Sequence, residues 1–226
     1  MDQDRAGGIA LIASSLVPLA SVVFHPTAHD FDAAGQLASS SARMLAVHGG
    51  MLAALPLALF GGLALVRRAR AGSRLGEIAL FTYALACAAG LVAAGVSLAV
   101  PAIARPMLEA DDAVRLGYRL LFAYSGALIQ AFARIFVVSS WLAIALWSAA
   151  ALRGGSLPRA LGIYGIVAAV VSCVLLLSSL LRLDAHGFGF VLLLQGAWFI
   201  PTGAVLCLKD TPRVARSRCG SSPGRR

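Results

Sequence analysis

All four histidines of the chain, His25, His29, His48 and His186, fall at the same end of its long apolar segments. Histidine ligates metals and haem and titrates near neutral pH, so four of them gathered on one face would define a chemical site. His25 and His29 lie four residues apart around Pro26, and they share a face if Pro26 opens a helical turn. His48 stands about one turn inside the second apolar segment. His186 is at the mouth of the last, two residues after Asp184. Neutral imidazole suits Zn, Cu, Fe and Ni, and the carboxylates of Asp30 and Asp184 are placed to complete the ligand set or to orient a histidine. The expected site is a transition-metal centre built from His25, His29, His48, His186, Asp30 and Asp184. A sharper variant places haem b between His48 and His186 as axial ligands. The His-x-x-x-His spacing lacks the adjacent glutamate of a zinc-protease helix. No Cys–His arrangement marks a nucleophile, and the balance leans away from an enzyme.

The elements that must position these residues are membrane helices. The 226 residues are 59% hydrophobic and only 13% charged, against about a quarter charged in an ordinary soluble domain. A helix needs roughly 20 apolar residues to cross about 30 Å of hydrocarbon. Six such spans are expected, over residues 7–24, 44–66, 78–100, 135–152, 160–181 and 187–208. Continuous apolar runs exclude the alternating pattern of a barrel strand. The predicted fold is therefore an all-α, polytopic bundle of six transmembrane helices in one domain, 1–208, followed by a basic, disordered tail, 209–226.

Net charge is +9, and its distribution gives an orientation. With the N-terminus inside, 13 of the 19 basic residues lie on the inner side and six on the outer side. The positive-inside rule then predicts both termini in the cytoplasm, with the histidines outward. Anionic lipid at the cytoplasmic face is the natural partner of that charge, and nucleic acid is not. The start, Met1 to Arg5, lacks the basic region of a secretory signal and is read as the approach to span one. No cysteine lies in an outer loop and no Cys-x-x-Cys pair occurs, which argues against a structural disulfide or a thiol redox centre.

Two polar residues interrupt the apolar pattern. Arg134 falls at the start of span four, either snorkelling to the outer interface or buried and paired within the bundle. Gln195 falls near the bilayer midplane, where an amide either bonds a neighbouring helix, with Ser139 and Ser140 in reach, or lines a substrate path. The apolar stretch 120–133 is too short to span. It is expected to extend helix four or to lie at the interface, with a break near Ser125-Gly126.

Several short pieces carry a resemblance: His25-Pro26, Val47-His48-Gly49, Trp147-Ser148, Leu157-Pro158-Arg159, Leu183-Asp184-Ala185-His186-Gly187, and Gln195 with Trp198. In these the chain resembles a group of small bacterial six-span integral membrane proteins. The resemblance implies a location in the bacterial inner membrane and supplies no activity. Three function classes follow from the residues. They are an outward-facing His/Asp metal site for binding, sensing or transport, a haem-b-binding oxidoreductase component, and a structural or partner-binding subunit without a small-molecule site.

Overall fold

The computed structural model describes residues 3–25, 37–68 and 74–208, with the side chains of 37–40 left aside. Among these residues there are six helices and no strand. The helices are α1 (Gln3–Val23), α2 (Leu37–Arg68), α3 (Arg74–Glu109), α4 (Asp112–Gly154), α5 (Arg159–Leu177) and α6 (Ala185–Leu208). Each is long and apolar enough to cross a membrane. His29, Asp30 and the basic tail lie outside the described residues.

The helices alternate in direction, so the start of α1 and the ends of α2 and α6 meet. Arg68 lies 3.8 Å from Asp4, Arg67 donates to the Gln3 side chain at 3.0 Å, and Cys207 Sγ approaches the Arg5 carbonyl at 3.6 Å. The Arg68–Asp4 pair is largely buried, its side chains only 9% and 15% exposed, and with the other two contacts it fixes the register of the three helix ends. Backbone proximity does the heavier work. A Cβ on Gly203 would stand 2.6 Å from the Gly8 carbonyl oxygen, so α1 and α6 touch main chain to main chain there. Without a hydrophobic force between helices in lipid, such small-residue contacts drive their association.

The bundle divides into a filled half and a hollow half. Toward the terminal end, Tyr83, Trp147, Trp198 and Phe199 form an aromatic layer. Trp147 and Trp198 stack with centroids 6.1 Å apart, and Tyr83 packs on Trp147 at 5.4 Å. Offset aromatic stacks of this spacing are favourable beyond their buried area. α5 lies outside this layer, its Tyr164 hydroxyl donating to the Leu194 carbonyl at 2.9 Å.

Helix lengths differ from the hydropathy expectation in both directions. α4 is one unbroken helix of 43 residues, with no break at Ser125-Gly126, so the stretch 120–133 is its extension. Asp111 caps it by accepting from the Val114 N–H at 3.0 Å, and Gly155 closes the other end at φ 65°. α3 likewise continues through Pro101 and Pro106 to Glu109. The stretch 112–129 adds about 27 Å of helix beyond the level of the α5–α6 loop. It is held to α3 and α2 by a small core of Met44, Ala104, Leu108 and Phe122. α5 stops early, at Leu177 rather than at 181. Ser178 Oγ bonds the Leu175 carbonyl and Ser179 takes φ 60°, a left-handed conformation that ends the helix inside an apolar run.

Arg134 is exposed on α4 rather than buried and paired. It stands about 28 Å along the helix from Arg153, close to one hydrocarbon thickness, as a snorkelling arginine should. The extension above it carries a labelling prediction. Cysteines placed at the exposed Ala123 and Ala127 should react much faster with a membrane-impermeant thiol reagent than one at Ala169, which is buried on α5. Equal protection at all three would place the α3–α4 extension within lipid or beneath a partner.

Candidate functional site

The hollow half of the bundle is a cavity of about 390 Å³ between α1, α2, α3, α4 and α6. Its walls are mostly Ala, Leu, Val and Phe, and its floor is Tyr83 and Phe199 of the aromatic layer. Small side chains on facing helices (Ala54 and Ala58, Ala93 and Ala94, Ala133) leave this space unfilled. Lipid-binding and cofactor pockets have this size and character, largely apolar with a few placed polar groups.

Those polar groups lie at two levels. Deep in the cavity, buried Gln195 donates from its amide to Ser140 Oγ at 2.7 Å, and Ser140 in turn donates to the Val137 carbonyl at 3.0 Å. The expected tie between Gln195 and span four is therefore present, and Gln195 also lines the cavity. The hydroxyls of Ser14, Ser15 and Ser97 also lie along the wall. Each is turned back onto its own helix, to Leu11, Leu11 and Ala93 carbonyls respectively. Such back-bonding satisfies the donors in an apolar setting and keeps the surface weakly polar.

At the other level stands a histidine pair. His25, just past α1, and His48 on α2 meet edge to face with ring centroids 5.2 Å apart, and both line the cavity. His48 is buried, and its Nδ1 lies 3.1 Å from the Met44 carbonyl oxygen. A carbonyl only accepts, so Nδ1 carries the proton and Nε2 keeps its lone pair. This fixes both the tautomer and the direction of the ring.

His186 does not join them. It is exposed on the first turn of α6 and is not part of the cavity wall, although its neighbours Asp184 and Ala185 are. The glycine that follows each of His48 and His186 makes no close approach between α2 and α6. Gly49 faces open space and Gly187 packs on the Arg182 carbonyl. Of the described members of the expected metal centre, His25, His48 and Asp184 line one cavity and His186 lies outside it. Among the described residues no group of three or more His, Cys, Asp or Glu side chains is close enough to hold a metal ion. The haem arrangement with His48 and His186 as a facing pair fails on the same placement of His186.

Asp184 has a structural role of its own. Its Oδ1 accepts the Gly187 N–H at 2.8 Å and its carbonyl accepts the Phe188 N–H, which makes it the N-cap of α6. Gln130 secures the same loop by donating to the Leu183 carbonyl at 2.9 Å. Replacing Asp184 by Ala should cost about 1 kcal/mol, read as a lower unfolding midpoint in detergent. Asp184→Asn, which keeps a capping oxygen, should cost a fraction of that. Equal losses would mean that the charge matters and not the cap.

No family model, curated protein or solved structure matches the chain. Its site is read from its own geometry.

Sequence reasoning missed two kinds of residue. Met44 and Met51 line the cavity beside the histidines, and their spacing around His48, at i, i+4 and i+7, was visible on one helical face. The alanines that create the cavity carried no signal, since alanine is ordinary filler in a membrane helix.

Proposed function

We propose that the chain is a membrane-embedded binding protein for an apolar or amphipathic small molecule, held in the central cavity and admitted from the histidine end. The observation that carries this reading is the cavity itself. It is lined by five helices, mostly apolar, and supplied with polar groups at two separate levels. An elongated amphiphile fits such a site, with its tail on the Ala, Leu and Phe walls and a polar atom near the Gln195–Ser140 pair or the imidazoles. Carrying, presenting or sensing the bound molecule are the roles open to such a cavity.

We also infer the setting. The 13-to-6 asymmetry of basic residues supports cytoplasmic placement of the terminal end, on anionic lipid, with the histidine end outward. The resemblance described above supports the bacterial inner membrane.

Cross-linking tests the reading. A photoactivatable long-chain alcohol added to the purified chain should label cavity residues such as Phe188 and Leu192 in a saturable way. Labelling that is confined to the exposed Phe81 and Leu193, and that grows without saturation, would remove the basis for the proposal.

A further inference from the structure

We propose that the histidine end of the cavity is a binding site for a soft monovalent metal ion, Cu(I), with His25, His48, Met44 and Met51 as its donors. All four line the same cavity. Met44, His48 and Met51 recur at i, i+4 and i+7 on α2, so one helical face presents thioether, imidazole and thioether in succession. His25 comes from the end of α1 and stands against His48, with ring centroids 5.2 Å apart.

Three features point to a metal of this class. The first is the state of His48. A metal-binding histidine characteristically gives its second ring N–H to a carbonyl or carboxylate, which fixes the tautomer and raises the basicity of the ligating nitrogen. His48 does this through Nδ1 to the Met44 carbonyl, leaving Nε2 as the ligating atom. The second is the donor set. Thioethers are soft ligands that select Cu(I), whereas divalent zinc and the harder ions favour imidazole with carboxylate, water or thiolate. The carboxylate on the wall, Asp184, is engaged at Oδ1 as the cap of α6. The third is charge. Four neutral donors in a largely apolar cavity suit a single positive charge far better than a double one, because the cost of desolvating an ion rises steeply with its charge. The site keeps two residues of the expected His/Asp centre. It replaces His186 and Asp184 with the two methionines, and it is independent of whether the deeper cavity holds an amphiphile.

The test uses the full chain in lipid nanodiscs. It is titrated anaerobically with Cu(I) held reduced by ascorbate, in competition with bathocuproine disulfonate. One Cu(I) per chain should be retained, and its X-ray absorption should show both nitrogen and sulfur in the first coordination sphere. Met44→Leu and Met51→Leu, which nearly preserve volume, should each weaken binding at least tenfold. His48→Ala should abolish stoichiometric binding, and Met107→Leu, outside the cavity wall, should leave it unchanged. The helical circular dichroism of every variant should match that of the parent chain. A coordination sphere without sulfur, or Cu(I) affinity unmoved by both methionine substitutions, would overturn the proposal. So would failure of the parent chain to retain Cu(I) against the competitor.

Discussion

Gly203→Val should destabilise the folded chain by about 3 kcal/mol or more, which in a marginally stable membrane protein removes most of the folded yield. The cause is local. A Cβ at Gly203 would meet the Gly8 carbonyl oxygen at 2.6 Å and Ile12 Cγ1 at 2.8 Å, and at Gly8 a Cβ would meet the Gly203 carbonyl in return. A flexible side chain could move aside, but a carbonyl oxygen in a helix cannot. α1 and α6 would have to separate along their length, and the loss would spread to the terminal end, where Arg68 ties the two helices through Asp4 and the Val205 carbonyl. Gly95 supplies the contrast, because a Cβ there meets nothing within 4 Å. Gly95→Ala should be neutral or mildly stabilising, by up to about 1 kcal/mol. Reversible unfolding in mixed micelles measures both. Similar melting for Gly203→Val and the parent chain would mean that α1 and α6 are not in backbone contact.

Trp198→Ala should cost about 3–5 kcal/mol. Trp198 is fully buried, stacks on Trp147 and meets Phe199 edge to face at 5.2 Å. Its removal opens a void in the layer that separates the cavity from the packed half. Among the described residues its indole N–H has no hydrogen-bond partner, so the loss is one of packing and not of polar contact. Trp198→Phe should therefore recover much of the stability. A loss below about 1 kcal/mol for Trp198→Ala would show that the aromatic layer is not what closes the floor.

Much of the architecture was legible in the sequence, because lipid imposes a strong rule on it. Runs of apolar residues gave the six helices and their alternation. Helix ends were less legible, since hydropathy reports the polarity of a stretch and not the continuity of its backbone. α4 runs on through the amphipathic stretch 112–129, and α5 stops at Ser178-Ser179 although leucines follow. The Gln195–Ser140 bond was anticipated because a midspan amide has few partners to choose from. The histidine partnership was not. Position along the chain set the level of each histidine in the bundle, whereas its partner depends on the rotation of each helix about its axis. His48 turns inward and meets His25, from the neighbouring α1, while His186 turns outward from α6. Asp184 looked like a ligand because a capping aspartate and a ligating one are the same residue in a sequence. The cavity, made by alanines where other helices carry leucine, had no legible signature.

Native mass spectrometry of the chain released from lipid nanodiscs reads directly whether the cavity holds one molecule. The parent chain should retain a single bound amphiphile. Ala93→Phe, which puts a ring into the cavity from α3, should lose it while keeping the same helicity. Val170→Phe, on the exposed side of α5, should keep it. A parent chain that emerges with no bound molecule, or with a spread of adducts that Ala93→Phe leaves unchanged, would contradict the account.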